Sequence, residues 1–537
     1  MVAAEIFRPE AVRPASPTSS SLRRLILATV FLGGISSIGI EITASRLVAP
    51  YFGDSTLIWA NIIGLTLAFL SLGYWLGGKV ADRRPSATLL FLIVGVAAGF
   101  AGIIPLLARP VLDVSLSAFH DVAVGAFYGS LLGTLVIVGV PITLLGFVSP
   151  YAIRLLVVDL ARSGKTAGNL YAISTLGSIA GSFLPVLLLI PTLGTARTFV
   201  VLALLLLVPA LVGLIALRQF GPATVVTIVG VAMLLLATFG ESRDVRAAEF
   251  GTLLYQTESE YNYIQVVEED GTVSLILNEG HAVHSVYNPN RLLTGGPWDY
   301  FMVAPLLGGT GGAPQVDSAM LIGLAGGTIA RQLTAAYGAI PIDGVEIDPE
   351  IARVGDEYFH MSEEAPGLDV HIEDGRYYLR TNDQRYDLIG VDAYHQPYIP
   401  FQLTTTEFFG EIADHLRSGG VAAINVGRTD TDYRLVDAIA STMNDVFPYV
   451  YAIDTARYDN TLLVGAMSAN GIGAMVTSAA GLMPGTPLQI TASEALANGN
   501  IRVIDPGGEV FTDDHAPVEQ VVDLIILDEA RRREGQS

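Results

Sequence analysis

Long apolar runs restrict this chain more than any other feature. They lie near residues 24–42, 57–78, 87–108, 123–147, 167–190, 195–217 and 222–239. Each is close to the roughly 20 residues that carry a helix across the hydrocarbon core of a bilayer. Backbone inside that core has to satisfy its own hydrogen bonds, so these runs predict an α-helical transmembrane domain of about seven spans over residues 22–240. Composition agrees, since 51% of the 537 residues are hydrophobic, too many for an ordinary water-soluble chain of this size. Residues 1–21, rich in Pro, Ser and Ala, read as a disordered tail.

A formal net charge of −22 excludes a nucleic-acid binder, which needs a basic face for phosphates. A lipid bilayer and a small-molecule or lipid acceptor are the expected partners, with a second copy of the chain as the expected assembly. Cysteine is absent, which excludes disulfides, thiolate metal sites and a cysteine nucleophile. Arg23, Arg24, Lys79, Arg83, Arg84, Arg154, Arg162, Lys165 and Arg218 fall on the loops that share a side with the N-terminus. That bias predicts a multi-pass plasma-membrane protein with a cytoplasmic N-terminus. An odd number of spans then places the C-terminal half outside, away from cytosolic nucleotides. Either one run does not cross, or the C-terminal half works on the outer face. Glu41, inside the first run, is read as a structural partner of Arg46 near the interface. GGKVADRR, Gly77 to Arg84, resembles the short basic loop of major-facilitator transporters.

From Glu241 the chain turns polar and acidic. NYIQVVEED, Gly271 and TVSLILNEG alternate across a turn and predict a β-hairpin within a small module over 250–310, which closes with a linker helix through PWDYF. Over 311–537 strands and helices alternate, which predicts a doubly wound, mostly parallel sheet. Its key stretch is LIGLAGGTIARQLTAAYGAIPIDGVEID, Leu321 to Asp348: strand, glycine turn, amphipathic helix, strand. Gly323, Gly326 and Gly327 allow a tight turn and a close ligand, and Glu346 ends the second strand where a ribose diol would sit. Asp374 and Gly375 follow the third strand, within reach of an adenine amino group. Asp392 ends the fourth as a candidate general base. Tyr394 and His395 follow it on the acceptor side.

His281 and His284 are three apart on a strand and so face opposite ways, which argues for hydrogen-bonding histidines and no metal site. TDDHAPVE, Thr512 to Glu519, is either a solvated acidic loop or a lid that brings Asp514 to the site mouth.

SEYNYIQV, LILNEG, LIGLAGGT, GVEIDPE, EDGRYYL, YDLIGVDAY, TTEFF and GGVAAINV together resemble spermidine synthases over Ser259 to Val426. With the spans, and with EITASRLVAPYFG and LYAISTLGSIAG, the chain is similar to fused membrane/spermidine-synthase-like proteins of bacteria. The resemblance implies a Rossmann-like, class I methyltransferase-type fold that binds S-adenosylmethionine or its decarboxylated form. By position it assigns Glu346 to ribose, Asp374 to adenine, Asp392 to the catalytic loop and Asn262 to the substrate. It also exposes departures. GLAGGT replaces GGGDGG, so Ala325 stands where the family has an aspartate, and His395 replaces the second aspartate of the catalytic loop. Polyamine cations are costly to bury without paired carboxylates, so putrescine is not the expected acceptor. The expected activity is transfer of a methyl or aminopropyl-type group to another acceptor, without a metal. The alternatives are a transporter or membrane sensor with a non-catalytic nucleoside-binding domain, or an NAD-dependent enzyme.

Overall fold

The computed structural model describes residues 19–52, 56–119, 125–157, 163–239, 248–278, 282–309, 315–394, 397–455, 457–467, 469–497, 500–505 and 507–534. The chain divides near residue 246 into a helical unit and an α/β unit.

The helical unit contains α1 (Ser20–Phe52), α2 (Thr56–Arg83), α3 (Ala87–Phe119), α4 (Gly125–Gly146), α5 (Val148–Leu156) and α6 (Ser163–Leu184), the last continued by a wide turn at Pro185–Leu189. After it come α7 (Ile190–Leu193), α8 (Thr195–Ala216) and α9 (Phe220–Phe239). Among the described residues six helical stretches are long and apolar enough to cross a membrane. The seventh expected span falls on α9, whose described stretch, Phe220–Leu235, is shorter than those six. α9 as a whole, Phe220–Phe239, is 20 residues long, which at about 1.5 Å per residue matches a hydrocarbon core of roughly 30 Å.

Small residues set the packing. α1 lies against α6 and α8, and a side chain at Gly177 of α6 would drive its Cβ into the Phe31 carbonyl of α1. Such close backbone approach lets helices associate where the solvent is as apolar as they are. Gly177→Leu is therefore expected to separate α1 from α6, costing at least the roughly 1–3 kcal/mol of an overpacked core. A lower detergent-extracted melting temperature than for a Gly168→Leu control checks this, because Gly168 has open space around it. Outward faces of α2, α6 and α9 carry Leu67, Trp75, Phe183, Leu187 and Phe220, each more than half exposed. An apolar surface of that extent belongs against lipid. Glu41 is buried within the helical unit.

The α/β unit opens with an antiparallel sheet, β1 (Thr252–Glu258), β2 (Tyr263–Glu269), β3 (Thr272–Leu277) and β4 (Val283–Tyr287), in that order. After α10 (Pro297–Phe301) come β5 (Ala319–Ile322), α11 (Thr328–Tyr337), β6 (Ile342–Glu346), α12 (Pro349–Phe359), α13 (Met361–Glu364), β7 (Leu368–Ile372), α14 (Gly375–Thr381) and β8 (Tyr386–Val391). The chain continues through α15 (Thr406–Asp414), β9 (Leu416–Gly427), α16 (Arg434–Asn444), β10 (Tyr449–Asp454), β11 (Asn460–Ala466), α17 (Gly471–Gly481), α18 (Pro487–Leu496), β12 (Ile501–Val503) and α19 (Val518–Glu534).

The large sheet runs β12-β10-β11-β9-β8-β5-β6-β7. Its five strands from β5 to β9 are parallel, and β11, β10 and β12 extend it antiparallel beyond β9. Both faces are covered. Leu321, Leu388 and Ala423 belong to one core, while their neighbours Ile322, Ile389 and Ile424 belong to the other. This is why the strands read as continuous apolar runs. The order reverses beside β5, with β6 on one flank and β8 on the other, so a crevice opens at the carboxyl ends of β5 and β8. In the small sheet, Ile264, Val266, Leu275 and Leu277 pack on Ile351, Val354 and Phe359 of α12.

Candidate active site

At the end of β5, Gly323 has φ +84°, and a Cβ there would lie 2.6 Å from the Asp392 carbonyl. Only glycine fits both that conformation and that approach. The Asp392 N–H donates to the Ile322 carbonyl at 2.9 Å, so the ends of β5 and β8 are pinned together at the crevice. Gly327 turns the chain into α11 with φ +81°, and the Gly326 N–H donates to Ser285 Oγ at 2.8 Å.

Glu346 is buried at the end of β6. Its two carboxylate oxygens accept separately, Oε2 from Ala325 N–H at 3.0 Å and Oε1 from Asp348 N–H at 3.1 Å. The Ile347 backbone N–H also bonds this carboxylate, which still has lone-pair capacity for a further donor. Burial pushes this carboxyl up to about 7, with the Asp348 charge adding to it and the backbone N–H groups of Asp348 and Ala325 opposing it.

Asp374 caps α14 by accepting from Tyr377 N–H at 2.9 Å, and Gly375 packs against Ile322. Asn262 is buried in a polar clamp, donating to Asp348 Oδ2 at 2.8 Å and accepting from Asn278 at 2.9 Å. Its amide fastens the small sheet to the turn after β6, and the placement gives it a positioning part. Asp348 in turn caps α12 through Glu350 N–H at 3.0 Å.

Asp392 lies in the wall of a cavity of about 380 Å³ that also touches Ala325, Trp298, Tyr394, Asn425 and His284. Asn425 Nδ2 donates to Asp392 Oδ1 at 2.9 Å, and Asn460 Nδ2 donates to Asn425 Oδ1 at 3.0 Å, which fixes the orientation of the Asn425 amide. Burial pushes the Asp392 carboxyl up to about 6, against the hydrogen bonds from Asn425 and the Trp298 indole. A carboxylate held there takes a proton near neutral pH far more readily than an exposed one. Tyr394 also lines the cavity. Its hydroxyl donates to the Asn425 carbonyl at 3.0 Å and accepts from Gly427 N–H at 2.8 Å. Burial and the nearby Asp392 push its titration upward, so it stays a neutral donor.

His395 and His281 lie outside the described residues. Of the expected residues that are described, Asp514 is exposed and is not brought to this wall. Its neighbour Asp513 is the carboxylate that this loop uses, pairing with Arg376 at 2.6 Å and accepting from Thr405 at 2.7 Å. Trp298, Asn425 and His284 enter the site unannounced by the sequence. The one available signal was Asn425, a lone polar residue within the apolar run of β9.

A switch-point crevice with a glycine turn and a strand-end carboxylate is an arrangement in which α/β domains can take a nucleoside. Residues 307–470 match the spermine/spermidine synthase domain family. The chain is 34% identical over 297 residues to a probable polyamine aminopropyl transferase of Bifidobacterium longum (strain NCC 2705), covering 52% of this chain and 65% of that protein. It is 33% identical over 141 residues to a polyamine aminopropyltransferase of Vibrio vulnificus (strain CMCP6), covering 26% and 46% respectively. It thus spans less than two thirds of either relative. A crystal structure of a probable spermidine synthase from Corynebacterium glutamicum ATCC 13032 aligns with a TM-score of 0.38 at 18% identity, over 50% of this chain and 98% of that one. The α/β unit is thus similar over residues 307–470 to the spermine/spermidine synthase domain, in a chain that also carries an N-terminal series of apolar helices.

Proposed function

We propose that this chain is a membrane-anchored transferase that uses S-adenosylmethionine or its decarboxylated form to alkylate an acceptor other than putrescine. The observation that carries this reading is the convergence of Gly323, Glu346 and Asp392 on one switch-point crevice with a cavity beside Asp392. Glu346 would hold the ribose hydroxyls with its remaining lone-pair capacity, and Asp374 would lie toward the adenine. The co-substrate, when bound, supplies a carbon made electrophilic by the adjacent sulfonium. As the acceptor nitrogen's lone pair forms the new bond to that carbon, the carbon–sulfur bond breaks, the sulfur leaves as a neutral thioether, and Asp392 takes the proton that the nitrogen loses. Asn425 and Trp298 hold that carboxylate in one orientation, which is the positioning part of the rate gain.

Ala325 borders the cavity and brings no carboxylate where the resemblance places an aspartate, so an amine at that point lacks that counter-charge. A cytoplasmic N-terminus with an even number of crossings would return the α/β unit to the cytosol, where adenosyl sulfonium compounds are made. The chain has no cysteine, so a single Glu269→Cys at the exposed end of β2 reports its side cleanly. Labelling of intact cells by an impermeant maleimide would refute the cytosolic placement.

Calorimetric titration with S-adenosylmethionine, its decarboxylated form and S-adenosylhomocysteine tests the co-substrate, and absence of binding by all three ends this reading. The affinity should depend on pH through Glu346. Its ionised form accepts both hydroxyls, so with a titration near 7 the S-adenosylhomocysteine dissociation constant is expected to rise about tenfold between pH 8 and pH 6. Glu346→Gln should flatten that dependence while weakening binding at pH 8.

A further inference from the structure

Arg428 stands at the carboxyl end of β9, in the wall of the cavity beside Asp392, with its side chain only 9% exposed. Nη1 donates to the Thr429 carbonyl at 3.0 Å, and the guanidinium lies 4.9 Å from the Tyr433 ring centre. Nε is buried and has no hydrogen-bond partner. The Asp459 carboxylate interacts electrostatically with the guanidinium, and Nε itself faces the Asp454 carboxylate at 3.8 Å, beyond hydrogen-bond distance. That carboxylate already accepts from Arg502 at 2.8 Å, Thr461 at 2.6 Å and Tyr433 at 3.1 Å. A buried guanidinium with an unused N–H is completed by an oxyanion.

The far wall is of another character. Val522, Ile525 and Ile526 of α19 follow one another at helical spacing and line the same cavity. Ile526 remains 48% exposed at its edge, leaving apolar surface for a ligand to cover. The carboxylates in the wall are Asp392 and Asp459, and Arg428 opposes them. A diamine would meet a cation where it needs a second anion.

We propose that the acceptor is an amphiphilic amine that also carries a carboxylate or phosphate, its anion bound by Arg428 and its alkyl body laid along α19. This rests on the reading of Asp392 as the acceptor's base. The test is calorimetry on the full chain in phosphatidylcholine nanodiscs with S-adenosylhomocysteine present, titrating 2-aminooctanoate, octylamine and putrescine. The wild type should bind 2-aminooctanoate about tenfold more tightly than octylamine, and putrescine most weakly. Arg428→Gln should remove the difference between the first two. Equal affinities in the wild type, tightest binding of putrescine, or a preference that survives Arg428→Gln would each overturn the proposal. The wild-type comparison needs no variant, so a misfolded Arg428→Gln does not rescue it.

Two sources of this chemistry are separated by the membrane composition. Weaker 2-aminooctanoate binding when phosphatidylethanolamine replaces part of the phosphatidylcholine assigns the anion to a lipid headgroup, and unchanged binding assigns it to a soluble amphiphile. If the preference is found but no acceptor is alkylated, it is the reading of Asp392 that fails.

Discussion

Asp392→Asn should lower the rate of group transfer by about two to four orders of magnitude, the usual contribution of a positioned general base. The substitution keeps the shape of the side chain and leaves one amide oxygen to accept from Asn425, so the cavity keeps its shape. S-adenosylhomocysteine affinity should therefore stay within about threefold, because Glu346 and not Asp392 carries the nucleoside contact. The two measurements together separate a base from a binding residue, since a residue that only held the co-substrate would lose affinity along with rate. The pH profile gives a second handle. Burial raises the Asp392 carboxyl to about 6, and the base works only when ionised, so single-turnover rates should rise with pH through about 6. The asparagine variant has no such limb. A rate unchanged by Asp392→Asn would transfer the proton-accepting part to solvent and remove Asp392 from the mechanism.

How far the sequence foretold this site depends on the range of each interaction. Gly323, Gly327 and Glu346 belong to one strand–turn–helix–strand unit, and local spacing was enough to place them. Asp392 was legible because a carboxylate closing the apolar run LIGV has to sit at a strand end. Asn425 and Asn460 were not, because they meet only after β11 inserts antiparallel against β9. Nothing within either strand's own pattern announces that pairing. Trp298 sits on the short helix α10, read from the sequence as a linker, and it reaches Asp392 across almost a hundred residues of chain. The acidic loop of Thr512 to Glu519 was ambiguous for the same reason. Which of its carboxylates matters is decided by Arg376, 137 positions away, and that choice falls on Asp513. In the helical unit the long apolar runs were plain, and each falls on a helix.

Arg376 is the second place where a single substitution should have a large effect. It follows the Asp374–Gly375 turn, and its side chain is 7% exposed. Nε and Nη2 donate to Glu411 at 3.0 and 2.8 Å, while Nη1 and Nη2 donate to Asp513 at 2.6 and 2.9 Å. Nη1 also reaches the Gln402 carbonyl at 3.0 Å. The guanidinium thus joins α14, α15 and the acidic loop at one point. Arg376→Leu removes the cation and leaves two carboxylates facing each other. Breaking a buried pair in this way costs roughly 3–5 kcal/mol. The low end, about 3 kcal/mol, is expected because Asp513 is 41% exposed and Glu411 keeps Arg380. The pH dependence fixes the cause. Hydrogen bonds from Arg376 hold Asp513 below the usual carboxylate range. Burial would raise Glu411, but hydrogen bonds from Arg376 and Arg380 outweigh it and hold that group low as well. Lowered carboxylates give stability that is present above their unfolded values near 4 and is lost as pH falls through their folded values. The gap between wild type and Arg376→Leu in urea unfolding of the α/β unit should therefore be full at pH 7 and shrink below pH about 4. A gap that stays constant down to pH 3 would trace the loss to packing on Phe408, whose ring lies 5.8 Å from the guanidinium, and not to the ion pairs.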